Sequence, residues 1–208
     1  MYNYTRVEKG INVLNPTTDR VKVLVDYEIN KYTMLIMAEY TVDHAVISKV
    51  FETEEVFYVL LKPMEIIERS CAYFGSSYKG RKEGTKRMIS ISHKAPIAIS
   101  ATNQIFVFPT TSSKKNECTW ISHQHVNQFR GGRFNRTIVR FSNELEIELD
   151  ISKGSFENQL YRTAHLRAIF EERMKCPSKP KKNYTLIPNQ DINTYIKNVL
   201  VSEDCHQV

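Results

Sequence analysis

The glycine-rich basic segment GSSYKGRKEGT, residues 75–85, has a spacing that suggests chemistry. Gly75 and Gly80 stand five positions apart, like the two glycines of the Walker loop that cradles nucleotide phosphates. That loop also needs Lys directly after its second glycine, followed by the Ser or Thr that binds Mg²⁺. Arg81 and Lys82 occupy those two positions, so the metal-binding hydroxyl is missing. Nucleotide hydrolysis is therefore not predicted here, and the chemistry of the segment must come from its cations.

Positive charge is concentrated around this segment. Residues 69–94 hold seven Lys or Arg and a single Glu, a balance of +6 that equals the formal net charge of the whole chain. Such a cluster is typical of proteins that bind a polyanion, because Lys and Arg release counterions from a nucleic-acid backbone. We predict a mobile loop that contacts DNA through Lys79, Arg81, Lys82, Lys86 and Arg87. The alternative is a solvated basic loop without a ligand.

A second basic stretch, QFRGGRFNRTIVRF at residues 128–141, contains four arginines and no acid: Arg130, Arg133, Arg136 and Arg140. If residues 136–141 form a strand, Arg136 and Arg140 lie on one face, because side chains alternate along a strand. That face either extends the DNA-binding surface or is simply exposed, and the sequence leaves both possibilities open.

A metal site is a weaker candidate. Cys118, His123 and His125, with Cys71 or His93, provide four potential ligands. Their spacing matches no structural zinc signature, so hydrogen-bonded structural histidines are the preferred interpretation.

An enzyme is also not favoured. The acidic side chains of Glu144, Glu146, Glu148 and Asp150 alternate along one strand, which usually indicates a solvated face. No pairing of a nucleophile with a base stands out, so we predict no catalytic residues, and the unmatched ligand spacing predicts no metal.

The chain has no predicted export or membrane segment. The four cysteines are scattered, and the N-terminus has no basic-then-apolar signal pattern. The most apolar run, residues 32–42, is too short to span a bilayer and contains Glu39. We therefore expect a soluble, cytoplasmic protein.

Short strands are predicted to dominate the first two-thirds of the chain, followed by helices. β-Branched and aromatic runs predict strands at residues 21–25, 32–38, 45–52, 56–61, 86–92, 105–109, 118–122, 136–141 and 145–149. A short helix is expected near 63–74, a long one at 155–174 and another from Pro188 onward. These elements indicate an α+β fold with a largely antiparallel sheet and two C-terminal helices.

The predicted domain organisation follows from these elements. Residues 1–174 would form an α+β DNA-binding domain, and residues 175–183 a basic linker that contains prolines. Residues 184–208 would form a C-terminal segment with the second helix.

Five blocks of the sequence closely resemble the ComK family of competence transcription factors, in the family's order and spacing. They are RSCAYFGSSYKGRKEGT (69–85), ISHKAPI (91–97), NQIFVFPTTSS (103–113), WISHQHV (120–126) and SFENQLYRTAHLR (155–167). The similarity runs from about residue 50 to about residue 200.

The resemblance implies a cytoplasmic transcription activator of DNA-uptake genes, without enzymatic activity or cofactor. Its implied partners are A/T-rich duplex DNA approached largely through the minor groove, RNA polymerase indirectly, and further copies, as dimers that pair into tetramers on DNA. An adaptor of a Clp-type protease is also implied, recognising Tyr184, Leu186 and Pro188 in YTLIP. No membrane partner is expected.

A nucleic-acid-binding accessory module is the alternative from a different class. It would bind single strands or bind without sequence preference, and Tyr73, Phe74 and Tyr78 would act as stacking platforms for bases.

Overall fold

Two sheets form the framework of the protein, for which the computed structural model describes residues 21–175 and 192–196. The larger sheet contains β1 (Val23–Leu24), β2 (Thr33–Tyr40), β3 (Val46–Glu52), β4 (Val56–Val59), β5 (Ile97–Ser100), β6 (Ile105–Pro109) and β7 (Trp120–Ser122). Its spatial order is β1–β4–β3–β2–β7–β6–β5, with every pair antiparallel except β1–β4. The smaller antiparallel sheet contains β8 (Val126–Gly131), β9 (Thr137–Phe141) and β10 (Glu146–Leu149).

The described helices are α1 (Pro63–Tyr73), α2 (Tyr78–Ile89) and α3 (Lys153–Lys175), and residues 192–196 are also helical. Mixed helices and a mostly antiparallel sheet confirm the predicted α+β fold. The predictions of a short helix near 63–74 and a long one at 155–174 are confirmed by α1 and α3. Within the described residues, every helix is too short or too polar to cross a membrane.

The core lies on both faces of the larger sheet. On one face, Ile66 and Ile67 of α1 pack with Trp120 and other sheet residues. On the opposite face, the smaller sheet and the first turns of α3 pack against β2, β6 and β7. There the ring centroid of Phe156 lies 5.6 Å from that of Phe108 and 5.1 Å from that of Phe129. Burying a side chain of this size stabilises the fold by about 1.5–3 kcal/mol.

Helix α2 replaces two predicted features. The mobile loop expected over residues 75–85 and the strand expected over residues 86–92 are both wrong, since residues 78–89 are helical. Ser77 begins the helix, and its hydroxyl accepts a hydrogen bond of 3.0 Å from the Gly80 N–H.

The core-facing side of α2 explains why this segment is a helix. Tyr78, Thr85 and Met88 recur at helical spacing and pack inward, and the hydroxyl of buried Thr85 donates to the Pro96 carbonyl at 2.9 Å. Residues 86–92 were predicted as a strand, but they contain only the last turn of this helical pattern and the three residues that follow it.

Two strands were not predicted. Strand β5 (Ile97–Ser100) is a short, fully buried run that lacks the alternation of a half-buried strand. Strand β8 (Val126–Gly131) contains mostly polar side chains on the exposed face of a hairpin.

The chain divides into two units, Met1–Lys175 and Cys176–Val208. In the second unit the described residues are 192–196, which lie within the helix predicted from Pro188 onward. The predicted linker beyond Lys175 and the adaptor motif of Tyr184, Leu186 and Pro188 lie outside the described residues.

Candidate nucleic-acid interface

The exposed side of α2 carries three lysines, which we call the basic face: Lys79, Lys82 and Lys86. With 3.6 residues per turn they fall within an arc of about 60° around the helix axis. They line a shallow groove of about 260 Å³ together with Glu83 and Ser92. Three of the predicted DNA contacts are therefore brought together by helical periodicity rather than by a loop.

The basic face is not neutralised by the surrounding protein. None of its three lysines forms an ion pair with a residue in the described part of the chain. Lys79 also lies in the first turn of α2, where a positive charge opposes the helix dipole. An anion bound at this face would reduce the mutual repulsion of the three lysines, because phosphate oxygens attract ammonium groups. It would also offset the unfavourable position of Lys79, because anions are favoured at a helix N-terminus.

Arg81 points to the other side of α2. Its guanidinium donates a hydrogen bond of 3.1 Å from Nη2 to the carbonyl oxygen of Phe74, the residue that ends α1. Its Nε is buried without a hydrogen-bond partner among the described residues. Arg81 therefore joins the two helices, whereas the sequence had placed it beside Lys82 at the DNA. Arg87 is exposed, about 100° further around the helix than the centre of the basic face.

The two glycines that suggested a phosphate cradle serve different turns. Gly75 has φ of 72°, and its N–H donates to the carbonyl of Ala72 at 2.9 Å, which ends α1 in the left-handed conformation that favours glycine. Gly80 lies in the first turn of α2, so it does not take part in the turn that ends α1.

Three arginines of the second basic stretch are paired with carboxylates in or next to β10. Arg130 lies 3.0 Å from Glu146, Arg136 lies 3.4 Å from Glu148 and 4.0 Å from Asp150, and Arg140 pairs with Glu144. The acidic residues thus neutralise three of the four arginines of the second basic stretch. Arg136 and Arg140 remain predicted DNA contacts, but each has a carboxylate partner that DNA would have to displace.

The aromatic residues near α2 do not form a stacking platform. Phe74 and Tyr78 pack against the core, and the Tyr78 ring meets Trp120 edge-on with centroids 6.3 Å apart. The Tyr78 hydroxyl donates to the Ser113 hydroxyl at 2.9 Å. Tyr73 alone of the three proposed platforms is exposed.

His125 has the hydrogen-bonded structural role expected for the His–Cys group, whereas the buried Nδ1 of His123 has no hydrogen-bond partner among the described residues. Its Nε2–H donates to the Lys31 carbonyl at 2.8 Å, so Nδ1 accepts from the Ser142 hydroxyl at 2.9 Å. Burial lowers the pKa of His125, and burial followed by the positive charge of Arg167 lowers the pKa of His123. Both rings are therefore kept neutral inside the fold.

The candidate metal ligands are not brought together. In residues 21–175 and 192–196, no group of three or more His, Cys, Asp or Glu side chains is placed to bind a metal ion. Burial raises the pKa of the thiols of Cys71 and Cys118 to about 11 in each case, so neither is a reactive thiolate at neutral pH.

Ser92 is a groove residue that the sequence had placed in a strand. The signal for the whole groove was present in the spacing of Lys79, Lys82 and Lys86 by three and four positions. The two glycines of the segment obscured that signal.

Comparison with known proteins gives one family. The family model described as "ComK protein" matches residues 24–175. The chain is 44% identical over 180 residues to the competence transcription factor of Bacillus subtilis (strain 168), an alignment that covers 86% of this chain and 93% of the relative. The match begins earlier in the chain than the resemblance noted from about residue 50. No solved structure matches.

Proposed function

Because the chain belongs to the ComK family of transcription factors and is not an enzyme, we propose that it is an activator of competence genes that binds duplex DNA through the basic face of α2. The observation that carries this assignment is the set of three lysines on one helix face, without ion-pair partners among the described residues. Of the DNA contacts expected from the sequence, Lys79, Lys82 and Lys86 fit this role best, while the guanidinium of Arg81 is hydrogen-bonded to the end of α1.

The chemistry of α2 supports phosphate contacts rather than base reading in the major groove. A helix that reads adenine there typically uses Asn or Gln, whose amides form two hydrogen bonds with the base. Helix α2, with the sequence YKGRKEGTKRMI, contains neither. Lysines instead position a protein on the backbone, so we propose that A/T-rich sites are distinguished largely through the minor groove and through DNA shape.

A salt titration tests the basic face. We expect the full chain to prefer an A/T-rich duplex over a G/C-rich duplex and over poly-dT in fluorescence anisotropy. The triple substitution Lys79→Ala, Lys82→Ala and Lys86→Ala should lower the slope of log affinity against log salt by about three units.

Lys31→Ala is the matched control, since Lys31 is an exposed lysine on the β1–β2 connection whose Nζ contacts only the Tyr32 ring among the described side chains. It should leave the slope unchanged. An unchanged slope in the folded triple variant would exclude the basic face, and equal or tighter binding to poly-dT would favour the accessory module.

The other partners complete the proposal. We propose a cytoplasmic protein that acts on RNA polymerase indirectly, as dimers that pair into tetramers on DNA. Tyr184, Leu186 and Pro188 are proposed to bind the adaptor of a Clp-type protease. A pull-down of the adaptor with the full chain, compared with a Tyr184→Ala and Leu186→Ala variant, tests this contact; equal retention of both proteins would remove it.

A further inference from the structure

The hairpin between β8 and β9 ends in a tight two-residue turn. The N–H of Arg136 donates to the carbonyl of Arg133 at 3.1 Å, which closes the turn around Phe134 and Asn135. These two residues have φ of 53° and 59°, so both are left-handed, as in a type I′ turn. Turns of this type strongly prefer Asn-Gly, because few side chains accept positive φ.

Phe134 is an unfavourable residue for the backbone conformation of this turn. A bulky side chain in the left-handed region is strained. Phe134 is 90% exposed, so no burial inside the protein compensates for that strain. An exposed, strained aromatic residue at the tip of a hydrogen-bonded hairpin points to a ligand that receives the ring.

The surroundings of Phe134 indicate what that ligand is. Its neighbour Arg133 is exposed and forms no ion pair with any described residue, unlike the other three arginines of the hairpin. The acids nearest the turn, Glu148 and Asp150, are already engaged by Arg136. The tip therefore presents one apolar ring beside one available cation, which suits a polyanion with an apolar interior.

The hairpin tip and the basic face of α2 are linked through α3. At the tip end of the hairpin, the Thr137 hydroxyl donates to the Ile151 carbonyl at 2.7 Å, just before α3 begins. Further along α3, the Gln159 side chain donates to the Lys94 carbonyl at 2.8 Å, two residues beyond Ser92 of the groove. Exposed Lys153 lies at the start of α3, between these contacts.

We propose that Phe134 is a wedge that enters the minor groove, inserts between two base pairs and kinks the DNA, with Arg133 held at the adjacent phosphates. Apolar wedges of this kind partly unstack a base step, and pyrimidine–purine steps such as TA unstack most easily. The inference rests on the proposed function, since it requires a protein that binds duplex DNA.

The test uses the full chain and an A/T-rich duplex with 2-aminopurine at TA steps, together with end-labelled duplexes that report bending by energy transfer. Phe134→Asn is the main variant, because Asn is favoured in this turn and keeps the hairpin folded. Phe134→Trp is the matched variant that keeps an aromatic wedge.

We expect the parent protein and Phe134→Trp to increase 2-aminopurine fluorescence and to bend the duplex. Phe134→Asn should lose both signals and bind the A/T-rich duplex about tenfold more weakly, the usual scale of one lost base-stacking contact. Its salt slope should be unchanged, because the lysines of α2 are intact.

Different results would refute the wedge and the proposed DNA-binding function. A parent protein without salt-dependent duplex binding overturns both. A parent protein that bends DNA, with Phe134→Asn doing so equally, overturns the wedge alone. If Phe134→Asn abolishes activation in cells with unchanged binding and bending, the ring docks on a protein, and the wedge is again overturned.

Discussion

Arg81 and Lys82 are adjacent in the sequence and have different roles in the structure. Arg81→Ala should therefore lower the stability of the fold, whereas Lys82→Ala should weaken the salt dependence of DNA binding. The Arg81 guanidinium donates to Phe74 O at 3.1 Å, and a hydrogen bond from a charged donor contributes about 1.5–3 kcal/mol. The substitution also removes Nε, whose burial without a hydrogen-bond partner destabilises the folded state, and this offsets part of the loss. We therefore expect Arg81→Ala to lower the free energy of unfolding by about 1–2 kcal/mol.

For a domain of this size, that loss corresponds to a fall in Tm of about 2–8 °C. The salt slope of DNA binding should stay unchanged in folded Arg81→Ala. Lys82→Ala should do the reverse, with a slope lower by about one unit and a stability within about 0.5 kcal/mol of the parent. Thermal unfolding by circular dichroism and anisotropy at about 50–200 mM salt measure the two effects.

Arg87→Ala is the control for the loss of an arginine, because Arg87 is exposed and makes no side-chain hydrogen bond to a described residue. It should leave Tm nearly unchanged. The reasoning is refuted if Arg81→Ala keeps the parent Tm and lowers the salt slope by one unit, since Arg81 would then contact DNA and not Phe74.

Three further predictions concern stability and reactivity. Gly84→Ala should stabilise the protein by about 0.5–1 kcal/mol in urea unfolding, because Gly84 is helical and an added Cβ would lie 3.8 Å from its nearest neighbour; destabilisation would contradict a helix here. Since burial lowers the folded-state pKa of His123 and His125, the unfolded chain binds more protons below about pH 6.5. The free energy of unfolding should therefore fall as pH drops from about 6.5, by up to ~1.4 kcal/mol per pH unit for each histidine, and a flat profile would count against it. With pKa values of about 11, Cys71 and Cys118 should resist iodoacetamide at pH 8 until urea unfolds the protein, as peptide mass spectrometry would show; rapid labelling of the folded chain would disprove this.

The sequence predicted the elements whose side chains repeat a strong pattern. In α1, Pro63 begins the helix, and Met64, Ile67 and Cys71 recur at helical spacing. Helix α3 was equally visible, because it is long and buries Phe156. Helix α2 was missed because its inward-facing side includes Arg81 and Thr85, and its two glycines are poor helix formers.

The candidate site was predictable in part for a related reason. The charge cluster identified the correct segment, and helical spacing would have separated Lys82 from Arg81. The bond from Arg81 to Phe74 was not predictable, because it depends on how α1 and α2 turn back on each other. The predicted hairpin brought residues 136–141 beside the acidic residues 145–149. It did not predict that Arg140 pairs with Glu144 rather than with Glu146, which lies opposite it.

The position of β7 beside β2 has a consequence for the order of folding. Strands β2, β3 and β4 form one set of neighbouring hairpins, and β5, β6 and β7 form another, so each set closes only short loops. They meet at a single pair, in which Leu35 lies opposite Ile121 and the intervening chain includes α1 and α2. Closing a long loop costs conformational entropy and slows folding. We therefore expect the β2–β7 strand pair to form last and to limit the folding rate. The two hairpin sets would then exist briefly as separate halves of the larger sheet, until β7 pairs with β2.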